Sequence, residues 1–181
     1  LIGGAIEDGT TVYINAGQTI TQVRAPLYIH VLRTAWRNLL IFAHNAAVPV
    51  VVLTAFGMWP GAAGLLVFPG LLLVALNGLW ISGLLGLVCA RFRDVPQIVS
   101  SLLHMAFLLT PVIWKKELLE DRAAFAEMNP FYHLVELVRR PLLGGVPDAS
   151  SYLVALGAAA LGWTAMLLLH QRYRNRVAFW V

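Results

Sequence analysis

The chain has 181 residues, 59% hydrophobic and only 12% charged, where soluble domains carry roughly 25% charged residues. With a mean hydropathy of +0.74, that deficit excludes an ordinary soluble domain and points to an integral membrane protein. The net charge of +4 comes without any basic cluster interleaved with aromatics outside the apolar runs, so it reads as membrane topology rather than nucleic-acid binding. Cys89 is the single cysteine, which rules out an intrachain disulfide.

Residues 1–16 place Ile2, Ile6, Val12, Tyr13 and Ala16 near helical spacing, interrupted by Glu7, Asp8 and Asn15. They read as the tail of a span. The chain opens on Leu1 in mid-pattern, without the order of a signal peptide, so an N-terminally truncated fragment is expected. Residues 17–38 form a polar, basic segment punctuated by Pro26. Within it Leu27 to Arg37 predicts a short helix with Arg33 and Arg37 on one face. Residues 39–57 carry no formal charge and, at ~1.5 Å per residue, just cross ~30 Å of hydrocarbon. Pro49 predicts a kink there.

Met58 to Gly61 is a turn. The uncharged run 62–90 exceeds one perpendicular span, so the helix tilts or Pro69-Gly70 interrupts it. Gly78, Gly83 and Gly86 fall near one face, as do Gly157 and Gly162 later, and predict close helix approach. Arg91-Phe92-Arg93-Asp94 is a charged turn, followed by a span over 96–114. Residues 115–148 hold five basic and six acidic side chains; two short helices are expected, about 117–128 and 131–140, broken at Asn129-Pro130. Residues 151–169 form the last span and 170–181 a basic tail. The fold class is therefore all-α: a polytopic transmembrane helical bundle of four complete spans plus part of another, in one membrane domain.

Basic residues alternate with the spans. Arg24, Arg33, Arg37, Arg91, Arg93, Arg172, Arg174 and Arg176 share one side, opposite the net-negative 115–148 segment. That bias places the arginine-rich side and the C-terminus in the cytoplasm, and 115–148 outside.

The chain has no G-x-x-x-x-G-K-[ST] loop for nucleotide phosphates, and neither H-E-x-x-H nor C-x-x-C, so neither ATP nor a metal is expected to bind it. Ser100, Ser101 and His104 share a span as a conceivable nucleophile and base. Without a strained glycine-flanked serine, their hydroxyls are expected to bond their own helix carbonyls, and no catalytic residue is assigned. His44, Asn45 and His104 are intramembrane polar groups, either pathway residues or packed helix contacts. Asn77 reads as interhelical glue. Glu136, Arg139 and Arg140 read as solvated ion pairs unless a site gathers them.

The strings ARFRDVPQIVSSLLHMAFLLTPVIW, NPFYHLVELVRRPLLG, YRNRVAFWV and VLRTAWRNLLIFAHN, in that arrangement of spans, resemble the permease subunits of polysaccharide-exporting ABC transporters, the ABC-2 or type II exporter group. The resemblance covers nearly the whole chain, and its FAHN form is most similar to O-antigen permeases of lipopolysaccharide export. It implies a bacterial inner-membrane transport subunit, not an enzyme. It also implies a homodimer with a second copy, two ATPase subunits that carry ATP and Mg, a lipid-linked glycan as substrate, contacts with membrane lipids, and no nucleic acid.

It further implies an ATPase-coupling segment at Gln22, Arg24, Pro26, Arg33 and Arg37, and a cytoplasmic signature loop at Arg91, Phe92, Arg93 and Asp94. Re-entrant helices over 117–141 would lie at the exit. Candidate pathway residues are His44, Asn45, His104, Phe107, Trp114, Phe131, Tyr132, Glu136 and Arg139. The alternatives are an ABC-2 exporter of drugs or small lipids and, more remotely, a membrane-embedded glycan-modifying enzyme that would need an acid–base pair such as His44 with His104.

Overall fold

A computed structural model of the chain describes residues 1–23, 25–57, 59–110 and 128–181. Among these residues every regular element is a helix. In chain order they are α1 (Ile2–Asn15), α2 (Gly17–Gln22), α3 (Tyr28–Asn45), α4 (Ala47–Ala55), a 3-10 turn Gly61–Leu66, α5 (Val67–Arg91), α6 (Val95–Leu109), α7 (Pro130–Leu142), α8 (Ala149–Tyr173) and a final 3-10 turn Val177–Phe179.

Among the described residues three helical stretches are long and apolar enough to cross a membrane: Tyr28–Ala55, Gly61–Arg91 and Ala149–Tyr173. The first begins at Tyr28 and runs through Arg33 and Arg37 into the apolar run, so the basic helix and the span are one element. It breaks shallowly at Ala46. Pro49 has no N–H to offer the Asn45 carbonyl, and regular bonding resumes with Val50 N donating to Ala46 O at 3.3 Å. Pro69 does not interrupt its own helix. It lies in the first turn of α5, where an N–H has no intrahelical acceptor to lose. Of the run 96–114, α6 covers Val95–Leu109 and Thr110 follows it in extended backbone, while 111–114 lie outside the described residues. So do residues 117–127 of the short helix expected over 117–128.

α7 starts where the sequence breaks. Asn129 caps it by accepting from Phe131 N at 2.9 Å, with Pro130 at the first helical position. The same Asn129 donates through Nδ2 to Thr110 Oγ1 at 3.0 Å, tying the start of α7 to the end of α6.

α5 is the hub, packed against α1, α8, α7 and α3. Two clusters flank it. At its C-terminal end Val12, Tyr13, Leu27, Val31, Leu87, Ala90 and Val177 are buried together. At its N-terminal end Val74 packs with Leu134 and Leu137 of α7 and Ala155 of α8. The first cluster lies at the arginine-rich end, called here the basic end; α7 lies at the opposite end.

Glycine lets the backbones meet. A methyl on Gly70 would strike the Leu137 carbonyl, and one on Gly78 would sit 3.0 Å from Ala5 Cβ. Gly86 faces Val12 and Tyr13, Gly83 faces Met166, and Gly162 faces Trp80, whereas Gly157 has open space beside it. Polar clips cross the same seams. Ser82 Oγ donates to Ala5 O at 2.6 Å, Asn77 Nδ2 to Ala155 O at 3.1 Å, and Trp163 Nε1 to Leu76 O at 3.2 Å. Trp80 Nε1 donates to Asn77 Oδ1 at 3.0 Å, completing the amide's partners. Each such bond contributes about 1 kcal/mol between helices in lipid.

Candidate functional site

The basic end is one continuous assembly. α2 ends at Gln22, the chain turns through Pro26, and α3 departs, leaving Gln22 and Pro26 exposed at the apex. Arg24 lies outside the described residues. Leu27 and Val31, just behind the apex, are buried against Val177 and Leu87. The apex is therefore anchored to the end of α5 and to the C-terminal tail.

That tail also holds the Arg91–Asp94 turn. Arg93 Nη2 donates to the Trp180 carbonyl at 2.8 Å. The Arg91 guanidinium lies 5.4 Å from the ring centres of both Phe92 and Trp180, an exposed cation–π arrangement worth about 0.5–1 kcal/mol. Tyr173 and Trp180 meet ring to ring at 5.8 Å, and Val181 lies beside Gly17 at the start of α2. The tail thus bridges the two segments singled out in the sequence, the 17–38 region and the RFRD turn. Sequence reasoning had missed this bridge. The signal available was the aromatic, basic YRNRVAFWV string, which shows no partner by spacing alone.

Arg33 and Arg37 share a face of α3, as their spacing predicts, and line a polar cleft against α1 with His30 and Thr34. Arg37 Nη2 pairs with Asp8 Oδ2 at 2.7 Å. Both groups are substantially exposed, so the pair is worth no more than about 1 kcal/mol. Deeper on the same seam Asn38 is buried under Gly4.

At the opposite end Tyr132, His133 and Glu136 of α7 are buried. Glu136 holds Arg139 Nε at 3.2 Å, an ion pair without hydrogen-bond alignment, and Arg140 Nε at 3.5 Å. Arg140 also pairs with Asp148 at the head of α8, and His133 Nδ1 lies 3.0 Å from Ser151 Oγ. The Asp148 carboxylate bonded to Arg140 raises that guanidinium above its ordinary pKa. This node joins α7 to α8 around a buried carboxylate, rather than forming the fully solvated pairs one sequence reading expected.

The remaining candidates are scattered. His44 and Asn45 are exposed at the end of α3, and His104 and Phe107 are exposed on α6. Phe131 is half-buried at the start of α7, and Trp114 lies outside the described residues. His104 Nδ1 sits 2.7 Å from the Ser100 carbonyl, while Ser101 Oγ donates to Gln97 O at 3.1 Å. The serine–histidine arrangement of a nucleophile and base is thus not formed. Among the described residues no group of three His, Cys, Asp or Glu side chains gathers to hold a metal ion.

Comparison with known proteins agrees with this architecture. The family described as ABC-2 type transporter matches residues 7–143. The "O-antigen export system permease protein RfbA" of Myxococcus xanthus is 27% identical over 175 residues, which is 93% of this chain and 66% of that protein. The chain thus spans a little under two thirds of the relative's length.

Proposed function

The chain belongs to the ABC-2 type transporter family, and from that membership we propose that it is the transmembrane subunit of an ATP-driven exporter. Its cargo in this reading is a lipid-linked polysaccharide of the O-antigen or capsule type, moved from the cytoplasmic to the periplasmic side of a bacterial inner membrane. Likeness to an O-antigen export permease over 93% of the chain supports the cargo class. The arginine bias supports a cytoplasmic basic end and C-terminus. Two copies of the chain form the path, and two ATPase subunits carry ATP and Mg.

The observation that carries the mechanism is the anchored apex at the basic end. In this reading the segment 17–38 docks on the ATPase, with Gln22, Arg24 and Pro26 leading and Arg33 and Arg37 behind them. An apex free of the core would absorb a push from the ATPase. Here Leu27 and Val31 share a buried cluster with Leu87, Ala90 and Val177, so displacement of the apex moves α3, the end of α5 and the tail together. At the far end α7 is tied to α8 by the Arg140–Asp148 pair and by His133 beside Ser151. The chain performs no bond chemistry; its work is the opening and closing of a path.

The test is charge reversal at the apex in the intact complex. Gln22→Glu with Arg24→Glu should strip the ATPase subunit during purification and abolish surface glycan, while the permease still inserts. Unchanged co-purification together with normal export would overturn the docking assignment. Cells lacking the permease should keep lipid-linked glycan in the inner leaflet. Normal surface glycan with defective drug or small-lipid efflux would instead identify the other branch of the family.

A further inference from the structure

The polar cleft between α1 and α3 has a volume of about 280 Å³. That is just below the roughly 300–1,000 Å³ of small-molecule pockets, and suits a headgroup rather than a drug-sized molecule. One wall is the face of α3 with His30, Arg33, Thr34 and Arg37; the other is the end of α1 and start of α2, with Asp8 and Thr11 among its side chains. Two guanidiniums meet one carboxylate. Asp8 engages Arg37 and leaves Arg33 without an ion pair among the described residues. His30 Nε2 is buried and has no hydrogen-bond partner among them. A surplus cation and an unpartnered ring nitrogen, beside Thr34 on the same wall, together call for a ligand with several anionic oxygens.

Depth selects its source. On the adjoining face of α3, Leu32, Trp36 and Leu40 are exposed, Trp36 by 61%. An apolar face led by tryptophan, beside arginines, marks a helix crossing the membrane–water boundary. The cleft therefore opens at headgroup level, where lipid phosphates are concentrated and attract basic side chains.

We propose that this cleft binds the phosphate of a membrane lipid, with Arg33 as its principal cation, Arg37 as a second cation held in place by Asp8, and His30 and Thr34 as hydrogen-bonding groups. Occupancy would pin α3 to α1 at the level of the lipid surface. The shared chemistry is a phosphate ester, which either a bulk anionic phospholipid or a polyprenyl diphosphate lipid would supply.

The experiment uses the full-length permease with its ATPase subunit, reconstituted in nanodiscs of phosphatidylcholine with and without phosphatidylglycerol and examined by native mass spectrometry. Phosphatidylglycerol should be retained in preference to phosphatidylcholine. Arg33→Gln should reduce that retention on the order of tenfold, as expected for loss of a charge-assisted hydrogen bond. Arg176→Gln, exposed at the same end but outside the cleft, should leave it unchanged. Polyprenyl diphosphate added in excess separates the sources. Displacement of phosphatidylglycerol identifies the diphosphate lipid as the occupant, and persistence identifies bulk phospholipid; either keeps the phosphate site. Equal retention of the two phospholipids, or an Arg33→Gln protein that holds as much phosphatidylglycerol as the parent, overturns the proposal. Loss of the ATPase subunit with lipid retention unchanged also overturns it and reassigns Arg33 to a protein contact. Lipid counts do not depend on transport, so failure of the export reading leaves this site standing.

Discussion

The helices Tyr28–Ala55 and Gly61–Arg91 are both long and apolar enough to cross a membrane, yet of an apolar 18-residue stretch in each, 6% is buried within the chain in the first and 39% in the second. Hydropathy does not separate them, at 1.7 against 2.1. Small and polar residues do. The second presents Gly70, Gly78, Gly83, Gly86, Asn77 and Ser82 to its neighbours, while the first has no glycine at all. Lipid tails are as apolar as leucine, so greasiness gives a helix no preference for protein over bilayer. Backbone approach and interhelical hydrogen bonds create that preference, and they explain why α5 is the hub while α3 and α4 keep a bare flank.

The sharpest way to break that contrast is to fill a seam of α5. Gly70→Val should cost about 3 kcal/mol by forcing α5 off the Leu137 carbonyl, seen as a lowered unfolding temperature in detergent. Next, Asn77→Leu should cost about 1 kcal/mol, since it removes the bond to Ala155 and leaves Trp80 Nε1 without its acceptor. Asp8→Ala with Arg37→Ala, in a double-mutant cycle, should give a coupling of about 0.5 kcal/mol that fades with salt, because both groups are solvated. Smallest of all, Val51→Ala on the bare flank, where Val51 is 63% exposed, should fall within about 0.5 kcal/mol. A loss at Val51 matching that at Gly70 would erase the distinction. An intermediate loss that appears only at high protein concentration would sharpen it, by revealing a second protein surface over α4.

What was legible in the sequence was local. Asn129-Pro130 announced the start of α7 because an asparagine cap and a first-turn proline act within one turn. The spacing of Gly78 and Gly86 announced a contact face, which meets α1, because helical periodicity is a property of the segment itself; Gly83, expected on that face, instead meets Met166 of α8. Pro49 and Pro69 are alike in place as well as in letter: each is the third residue of its helix, α4 and α5, in a first turn where a missing N–H has little intrahelical bonding to lose, and each helical break falls just upstream, at Ala46 and at Leu66. Pairings across the chain were not legible. Asp8 was noted only as a polar interruption, since its partner Arg37 lies on another helix. The tail was noted as basic and aromatic, but nothing in its spacing names Arg93, 87 residues earlier, as the donor to Trp180. Glu136 and Arg140 are four residues apart on α7 and were legible together, but the further pairing of Arg140 with Asp148 depends on how α7 meets α8.

The clips that fasten α5 have a property of their own. Ser82, Asn77 and Trp163 all donate to main-chain oxygens, those of Ala5, Ala155 and Leu76. A carbonyl survives any substitution at its own residue, so each bond has one genetically visible end. Across variants the donor should be restricted by chemistry and the acceptor position only by size. Paired sequence changes would then be nearly silent about the contacts that hold this bundle's centre together.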